Sequence, residues 1–193
     1  LESLTRGGIR TGIFYPDVSF SHPNVELEAL KAFNVIATTK KFHLEFLKEH
    51  CPNSIIKYVP HGYTPSSHIK CFDNVTENQY YHDIFYAGNF SEHKATFLQS
   101  FLDLIRSADY DFAITGPSWK SKDYIFLREC FDQELYTGLS YARQIQLAKI
   151  NLAIHCGPII PDKKNWYDRI STRTFEIPAC GGFMLHVDND EIR

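Results

Sequence analysis

The chain is predicted to be an α/β protein carrying two parallel-sheet units. Three observations predict it. Over residues 9–59, apolar runs of strand length alternate with stretches of helical spacing, the rhythm of a parallel sheet. The same rhythm resumes beyond a polar, aperiodic stretch at residues 66–81. The chain has 193 residues, 44% of them hydrophobic and 15% aromatic, enough for one large core or two small ones.

Ile9 to Tyr15 reads as the first strand, closed by Pro16-Asp17. The loop from Pro16 to Asn24 is rich in turn formers. Asp17 and His22 follow the carboxyl end of the strand, where open α/β sheets hold ligands. By position they are the candidate catalytic groups, and simple turn chemistry is their other use. Val25 to Ala32 reads as a short helix and Phe33 to Thr39 as a buried strand. Lys40 to His50 spaces Phe42, Leu44, Phe46 and Leu47 as a helix does, and Ile55 to Val59 is the third strand. In Pro60-His61-Gly62, the glycine permits a positive φ and the neighbouring prolines stiffen the exit. His61 is either a polar group facing a cleft or a plain turn residue. Residues 66–81 read as a linker, which gives units at 1–65 and 82–193.

Asp83 to Asn89 is a strand ending in a glycine turn. Ser91 is placed to cap the next helix, Ala95 to Ser107, whose Phe97, Leu98, Phe101, Leu102 and Ile105 share a face. Gly88 lets the backbone approach a ligand closely. Lys94 is within reach of a phosphate, or is an ordinary solvated helix charge. Tyr110 to Thr115 is a strand followed by Gly116-Pro117-Ser118-Trp119. Trp119 stacks on a base, packs an interface, or fills the core under the loop, the commonest of the three uses. Tyr124 to Tyr136 is helical in part, Gly138 to Lys149 is a helix and Ile150 to His155 a strand. Residues 157–169 form a long loop carrying Asp162, Lys163, Lys164, Asn165, Trp166, Tyr167 and Asp168, and loops of this length are commonly functional.

The stretch from Asp168 to Asp188 carries most of the chemistry. Pro178 has no N–H to donate, so it fits best in a first helical turn, which places Glu176 at the helix start. Gly181 and Gly182 end the helix, and Phe183 to Val187 is a covered strand. A helix N-terminus is a seat for phosphate. Here it is flanked by Asp168, Glu176, Arg169 and Arg173. Carboxylates grip sugar hydroxyls and arginines grip phosphate, and a nucleotide-sugar offers both groups. The plain alternative is a surface pair of Arg173 with Glu176 at three-residue spacing.

Glu176-x-x-Ala179-Cys180-Gly181 before an apolar strand resembles the signature helix of the group 1 (family 4) glycosyltransferases. Arg173 to Gly181 resembles still more closely a subfamily named after a spore-maturation protein. In the family, two glutamates stand with seven residues between them, and here Asp168 takes the first place, with seven residues between it and Glu176. Val59-Pro60-His61-Gly62 is similar to the Val-Pro-Asn-Gly turn that closes the family's first domain, with His61 for Asn and Thr64 for a later Asp. Gly88 followed by Lys94 resembles the family's phosphate-side loop, and Gly116 to Trp119 the subfamily's Gly-x-x-Trp turn. The resemblance implies the GT-B layout, two Rossmann-like lobes facing a cleft, truncated at both ends, with a short strand near Tyr136. It implies transfer of a sugar from a nucleotide-diphosphate-sugar to an acceptor hydroxyl on a glycan, lipid or protein. No bound cofactor or metal is implied, because helix N-termini and basic side chains meet the diphosphate charge. Glu176 would hold ribose hydroxyls, Asp168 the sugar ring, and Arg173 with Lys94 the diphosphate. Gly88, Asn89, Trp119 and Thr174 complete the donor set, and the loop at 157–169 would close over the sugar.

Other classes are disfavoured. A net charge of -3 argues against a nucleic-acid footprint. No Gly-x-Ser-x-Gly elbow, Walker loop or Gly-x-Gly-x-x-Gly occurs. The nine histidines lack His-x-x-x-His spacing and the cysteines lack paired spacing, so no metal site is expected. Five scattered cysteines suit reduced thiols in the cytoplasm. No run approaches a membrane span, and the first residues show no signal peptide. A non-catalytic nucleotide- or sugar-binding module, and a phosphorylase or epimerase of the same architecture, stay open as alternatives.

Overall fold

A computed structural model of the chain describes residues 7–18, 21–22, 25–119, 124, 127, 130–131, 135–155, 157 and 165–193. Asp162, Lys163 and Lys164, and most of the stretch between Tyr124 and Tyr136 read as partly helical, lie outside the described residues. The chain divides into two compact units: Leu1–His61 with Gly157–Asp168, and Gly62–Cys156 with Arg169–Arg193.

In the first unit, β1 (Gly12–Tyr15), β4 (Val35–Thr38) and β5 (Ile55–Tyr58) form a parallel sheet in the order β1-β4-β5. Gly12 lies opposite Val35, and Val35 opposite Ile55. Parallel neighbours need a crossover. Helices α1 (Leu27–Leu30) and α2 (His43–His50) supply one each. Before α1, β2 (Ser21–His22) and β3 (Val25–Glu26) pair antiparallel, so the expected helix at 25–32 is shorter than its apolar pattern suggests. Tyr15, Leu30, Ile36, Leu47, Cys51 and Trp166 make the core. Trp166, from the far segment of this unit, is 8% exposed and packs on Phe42, His43 and Phe46 at ring distances of 5.5, 5.0 and 4.9 Å. His43 is fully buried, with Nδ1 3.0 Å from Thr38 Oγ1 and Nε2 3.0 Å from the Val18 carbonyl. Since a carbonyl only accepts, His43 carries its hydrogen on Nε2 and takes one from Thr38 at Nδ1. Burial above all, with Lys40 nearby, holds its pKa down at about 4.

In the second unit, β6 (His82–Ala87), β7 (Phe112–Thr115), β8 (Ala148–Ala153) and β9 (Met184–His186) form a parallel sheet in the order β7-β6-β8-β9. The fold class is thus α/β, with two Rossmann-like parallel sheets as in GT-B proteins. Helix α3 (Glu92–Ser107) covers one face through Leu98, Leu102 and Ile105 against Tyr86, Ile114 and Leu152. On the other face, α4 (Gly138–Gln146) and α5 (Thr172–Ala179) bring Ala142, Ile145 and Ile177 onto Phe85, Ala113 and Ala153. Burial on both sides explains why every residue of β7 is buried. Phe131 makes an isolated parallel bridge to Ile114, the described feature nearest the strand implied around Tyr136. The stretch at 62–81 runs with this unit, because the buried Gln146 side chain accepts from the Cys71 and Phe72 N–H groups at 2.7 and 2.9 Å.

Helix α5 corrects one expectation. It starts at Thr172 after Ser171, whose N–H donates to Thr174 Oγ1 at 3.2 Å. Glu176 therefore sits mid-helix, and Pro178 lies in the last turn. The Ser-x-x-Thr capping pattern sets the start, and a proline so near the end of a short helix forfeits only one N–H bond. The expected glycine stop holds: Gly181 has φ +79°, Gly181 N–H meets the Pro178 carbonyl at 3.0 Å, and Gly182 N–H meets the Ile177 carbonyl at 3.1 Å. These are the two bonds of a Schellman end.

Candidate functional site

Parallel strands leave their carboxyl ends open for ligands. In the second unit those ends, with the start of α5, enclose a cavity of about 440 Å³. Gly88 and Asn89 after β6, Gly116 after β7, Tyr141 on α4, Arg173 and Glu176 on α5, and His68 line it. Glu176 is held from two sides. Tyr141 donates its hydroxyl to Glu176 Oε2 at 3.4 Å, and His68 Nε2 lies 3.9 Å from Oε1. Thr64 N–H donates to His68 Nδ1 at 3.0 Å, so the hydrogen of a neutral His68 is on Nε2, on the side of the carboxylate. Burial first, then the Glu176 charge, pushes the Tyr141 hydroxyl above its ordinary range. Tyr141 thus stays protonated and able to donate.

Arg173 clamps the sheet ends. Its Nε donates to the Ala87 carbonyl and its Nη1 to that of Ile154 at 3.4 Å, with the guanidinium 5.3 Å over the Tyr86 ring. The glycines beside it are required by this packing. A Cβ at Gly88 would stand 2.1 Å from Arg173 Nη2 and 2.7 Å from Tyr86 Oη. One at Gly116, which has φ +131°, would stand 2.2 Å from the Gly88 carbonyl oxygen. Trp119, 1% exposed, donates from Nε1 to that same oxygen at 2.6 Å and packs edge-on against Tyr86 and Phe90. It is the core tryptophan under the loop, one of its three expected uses. Lys94, 7% exposed, donates to the Asn89 carbonyl at 2.9 Å. Thr174 Oγ1 lies 3.0 Å from His186 Nε2, which is itself 2.8 Å from His155 Nε2. Lys94, Trp119 and Thr174 support the cavity wall without lining it.

The remaining candidates belong to the first unit, except Gly62, which begins the second and does not use the positive φ open to it. Asp168 pairs with Lys40, and both side chains are largely buried. Lys40 Nζ also lies 3.2 Å from His61 Nε2. Burial, then Lys40, lowers the His61 pKa to about 4. Asp17 is exposed after β1, and His22 falls in β2. Asp168 and Glu176, with seven residues between them in the expected motif, are thus assigned to different units.

Residues 94–193, a little over half of the chain, match the model of a family described as glycosyl transferase-like. The chain belongs to the glycosyl transferase-like family. No match to a curated protein was found. Membership gives the chain a general role in glycosyl transfer and implies a sugar donor and an acceptor. The matched region contains most of α3 and all of α4 and α5, and so Tyr141, Arg173 and Glu176 of the cavity. In this glycosyl transferase-like chain, His68 and Tyr141 are the site residues that sequence reasoning missed. His68 stood in an aperiodic stretch with no local signal. Tyr141 looked like one more residue of an amphipathic helix. Among the described residues, no three His, Cys, Asp or Glu side chains gather as a metal site, and no helix is long and apolar enough to cross a membrane.

Proposed function

We propose that the chain binds a nucleotide-diphosphate-sugar and takes part in moving its sugar to an acceptor hydroxyl, with neither metal nor resident cofactor, as a member of the spore-maturation subfamily. The observation that carries this reading is Glu176, offered at a strand-end cavity between the Tyr141 hydroxyl and His68. A carboxylate so oriented keeps lone pairs for a pair of ribose hydroxyls. The diphosphate would meet the first turn of α5, where Thr172 and Arg173 line the cavity and the helix dipole favours negative charge. Arg173 would add its guanidinium, and Lys94 its charge from behind the wall. Gly88 and Asn89 would give close backbone contact, Trp119 would support that loop, and Thr174 would hold the helix start. Asp168 would reach the sugar ring only by sharing its carboxylate with Lys40. Asp17 and His22 are base candidates by position, and Gly62 with His61 forms the turn between the units' sequences. The acceptor would be a glycan, lipid or protein. Free thiols at Cys51, Cys71, Cys130 and Cys180 suit a cytoplasmic setting.

The test is a thermal-shift panel of UDP-, GDP- and ADP-sugars followed by a sugar-release assay. Glu176→Ala is expected to lower nucleotide affinity or turnover by about tenfold or more. Unchanged binding and turnover would remove Glu176 from the site. A second reading, a binding module without transfer, has one observation in its favour: Arg173 and Lys94 already donate to main-chain carbonyls. Binding without release or transfer would select that reading.

A further inference from the structure

The stretch at residues 62–81 brings a histidine to the second unit's cavity from outside the residues that match the family. Gln146 on α4 anchors this stretch with both ends of its amide. Its Oε1 accepts from the Cys71 and Phe72 N–H groups, and its Nε2 donates to the Phe72 carbonyl. Just before that anchor, the His68 N–H closes a turn on the Thr64 carbonyl at 2.8 Å, and the Thr64 N–H donates to His68 Nδ1 at 3.0 Å. The His68 ring stands edge-on to Tyr141, with 5.8 Å between centroids. These contacts fix the imidazole with Nε2, which carries the hydrogen of the neutral ring, on the side of Glu176.

His68 Nε2 lies 3.9 Å from Glu176 Oε1. That is too far for a direct hydrogen bond and near enough for one oxygen atom to touch both. The bridging atom must accept from Nε2–H and donate to the carboxylate, and a hydroxyl does both. A phosphate oxygen is an anion that the carboxylate repels. On a base, a carbonyl only accepts and an amino group only donates. Of the groups on a nucleoside diphosphate, the ribose hydroxyls alone qualify. We propose that His68 is a second ribose-binding residue, and that with Glu176 it brackets one ribose hydroxyl and makes the site selective for ribonucleotides over deoxynucleotides. This deepens the reading under Proposed function and rests on its placing of the ribose at Glu176. Tyr141 is the positioning residue, because its bond to Oε2 keeps Oε1 turned toward His68.

Titration calorimetry of the full chain tests it, first with UDP, GDP and ADP, then with the 2′-deoxy and 3′-deoxy forms of the tightest binder. In the wild type, one deoxy form should lose about tenfold or more in affinity, since it leaves both His68 and Glu176 without a partner. H68A should lose about fivefold toward the ribonucleotide but less than about twofold toward that deoxy form, because the hydroxyl that His68 holds is already gone. H68Q, whose amide nitrogen overlies Nε2, should keep most of the affinity, and H68N, whose nitrogen overlies Nδ1, should not. An equal H68A loss toward the ribose and deoxy forms overturns the bracket. So does equal affinity of H68A and the wild type for the ribonucleotide, or equal wild-type affinity for ribose and both deoxy forms. The last comparison needs no variant, so it decides the matter even where H68A fails to fold. A loss in E176A with none in H68A leaves the reading of Glu176 standing and removes His68 alone. A wild type that binds none of the three diphosphates overturns the parent reading and the bracket with it.

Discussion

Gly88→Ala is the sharpest probe of how the second unit is built. The added methyl would stand 2.1 Å from Arg173 Nη2, 2.8 Å from its Cζ and 2.7 Å from Tyr86 Oη, all well inside contact distance. Arg173 must withdraw by more than an ångström, which breaks its bonds to the Ala87 and Ile154 carbonyls. Losing hydrogen bonds made by a charged group costs about 1.5–3 kcal/mol, and overpacking adds about 1–3 kcal/mol. A total of about 2.5–6 kcal/mol is a large part of the roughly 5–15 kcal/mol that holds a domain together. The assay is urea unfolding followed by Trp119 fluorescence in a W166F background, where Trp119 is the sole tryptophan. The partner is identified by repeating Gly88→Ala in R173A, where the cost should shrink by at least about 1 kcal/mol. A loss below about 1 kcal/mol, or an equal loss with and without Arg173, would refute the clamp.

Three further outcomes follow from the geometry. Gly181→Ala should destabilise the second unit by about 1–2 kcal/mol, because the φ of +79° disfavours any Cβ; an unchanged thermal midpoint would contradict the Schellman end. Trp166→Ala should cost the first unit about 3–5 kcal/mol and speed hydrogen exchange across α2, whereas unaltered exchange would mean that Trp166 is not part of that core. The first unit should also weaken in acid. His43 titrates near 6.5 when unfolded and about 4 when folded, so between those values the unfolded state binds more protons. Stability is fully present above pH 6.5 and falls by about 3 kcal/mol as the pH drops to 4. Trp166 fluorescence in urea at pH 7.5 and 4.5 measures it, and a unit that is more stable at the lower pH would reverse the argument.

The parallel strands were legible because a buried parallel strand is a short apolar run, and Ile36, Phe85 and Ile114 stand in such runs. The position of Glu176 along its helix was misread from Pro178. Proline is common in a first turn but also tolerable in a last one, and Ser171 with Thr174 was the better marker of the start. The partners of Arg173 were not legible, since Ala87 and Ile154 offer main-chain oxygens that no side-chain pattern reveals. Nor was the place of Asp168. Local sequence put it beside Glu176, but its partner Lys40 lies 128 residues earlier, a pairing that only tertiary packing creates.

The chain passes from one unit to the other at His61–Gly62, back at Cys156–Gly157, and over again at Asp168–Arg169. Severing the first of these junctions would therefore not release two independent pieces. A peptide ending at His61 would lack the Trp166 plug and expose Phe42 and Phe46, while the remainder would carry that plug with nowhere to put it. The smallest piece able to fold faithfully is thus set by the threading of the chain, and mixing the two fragments should restore what neither half retains alone.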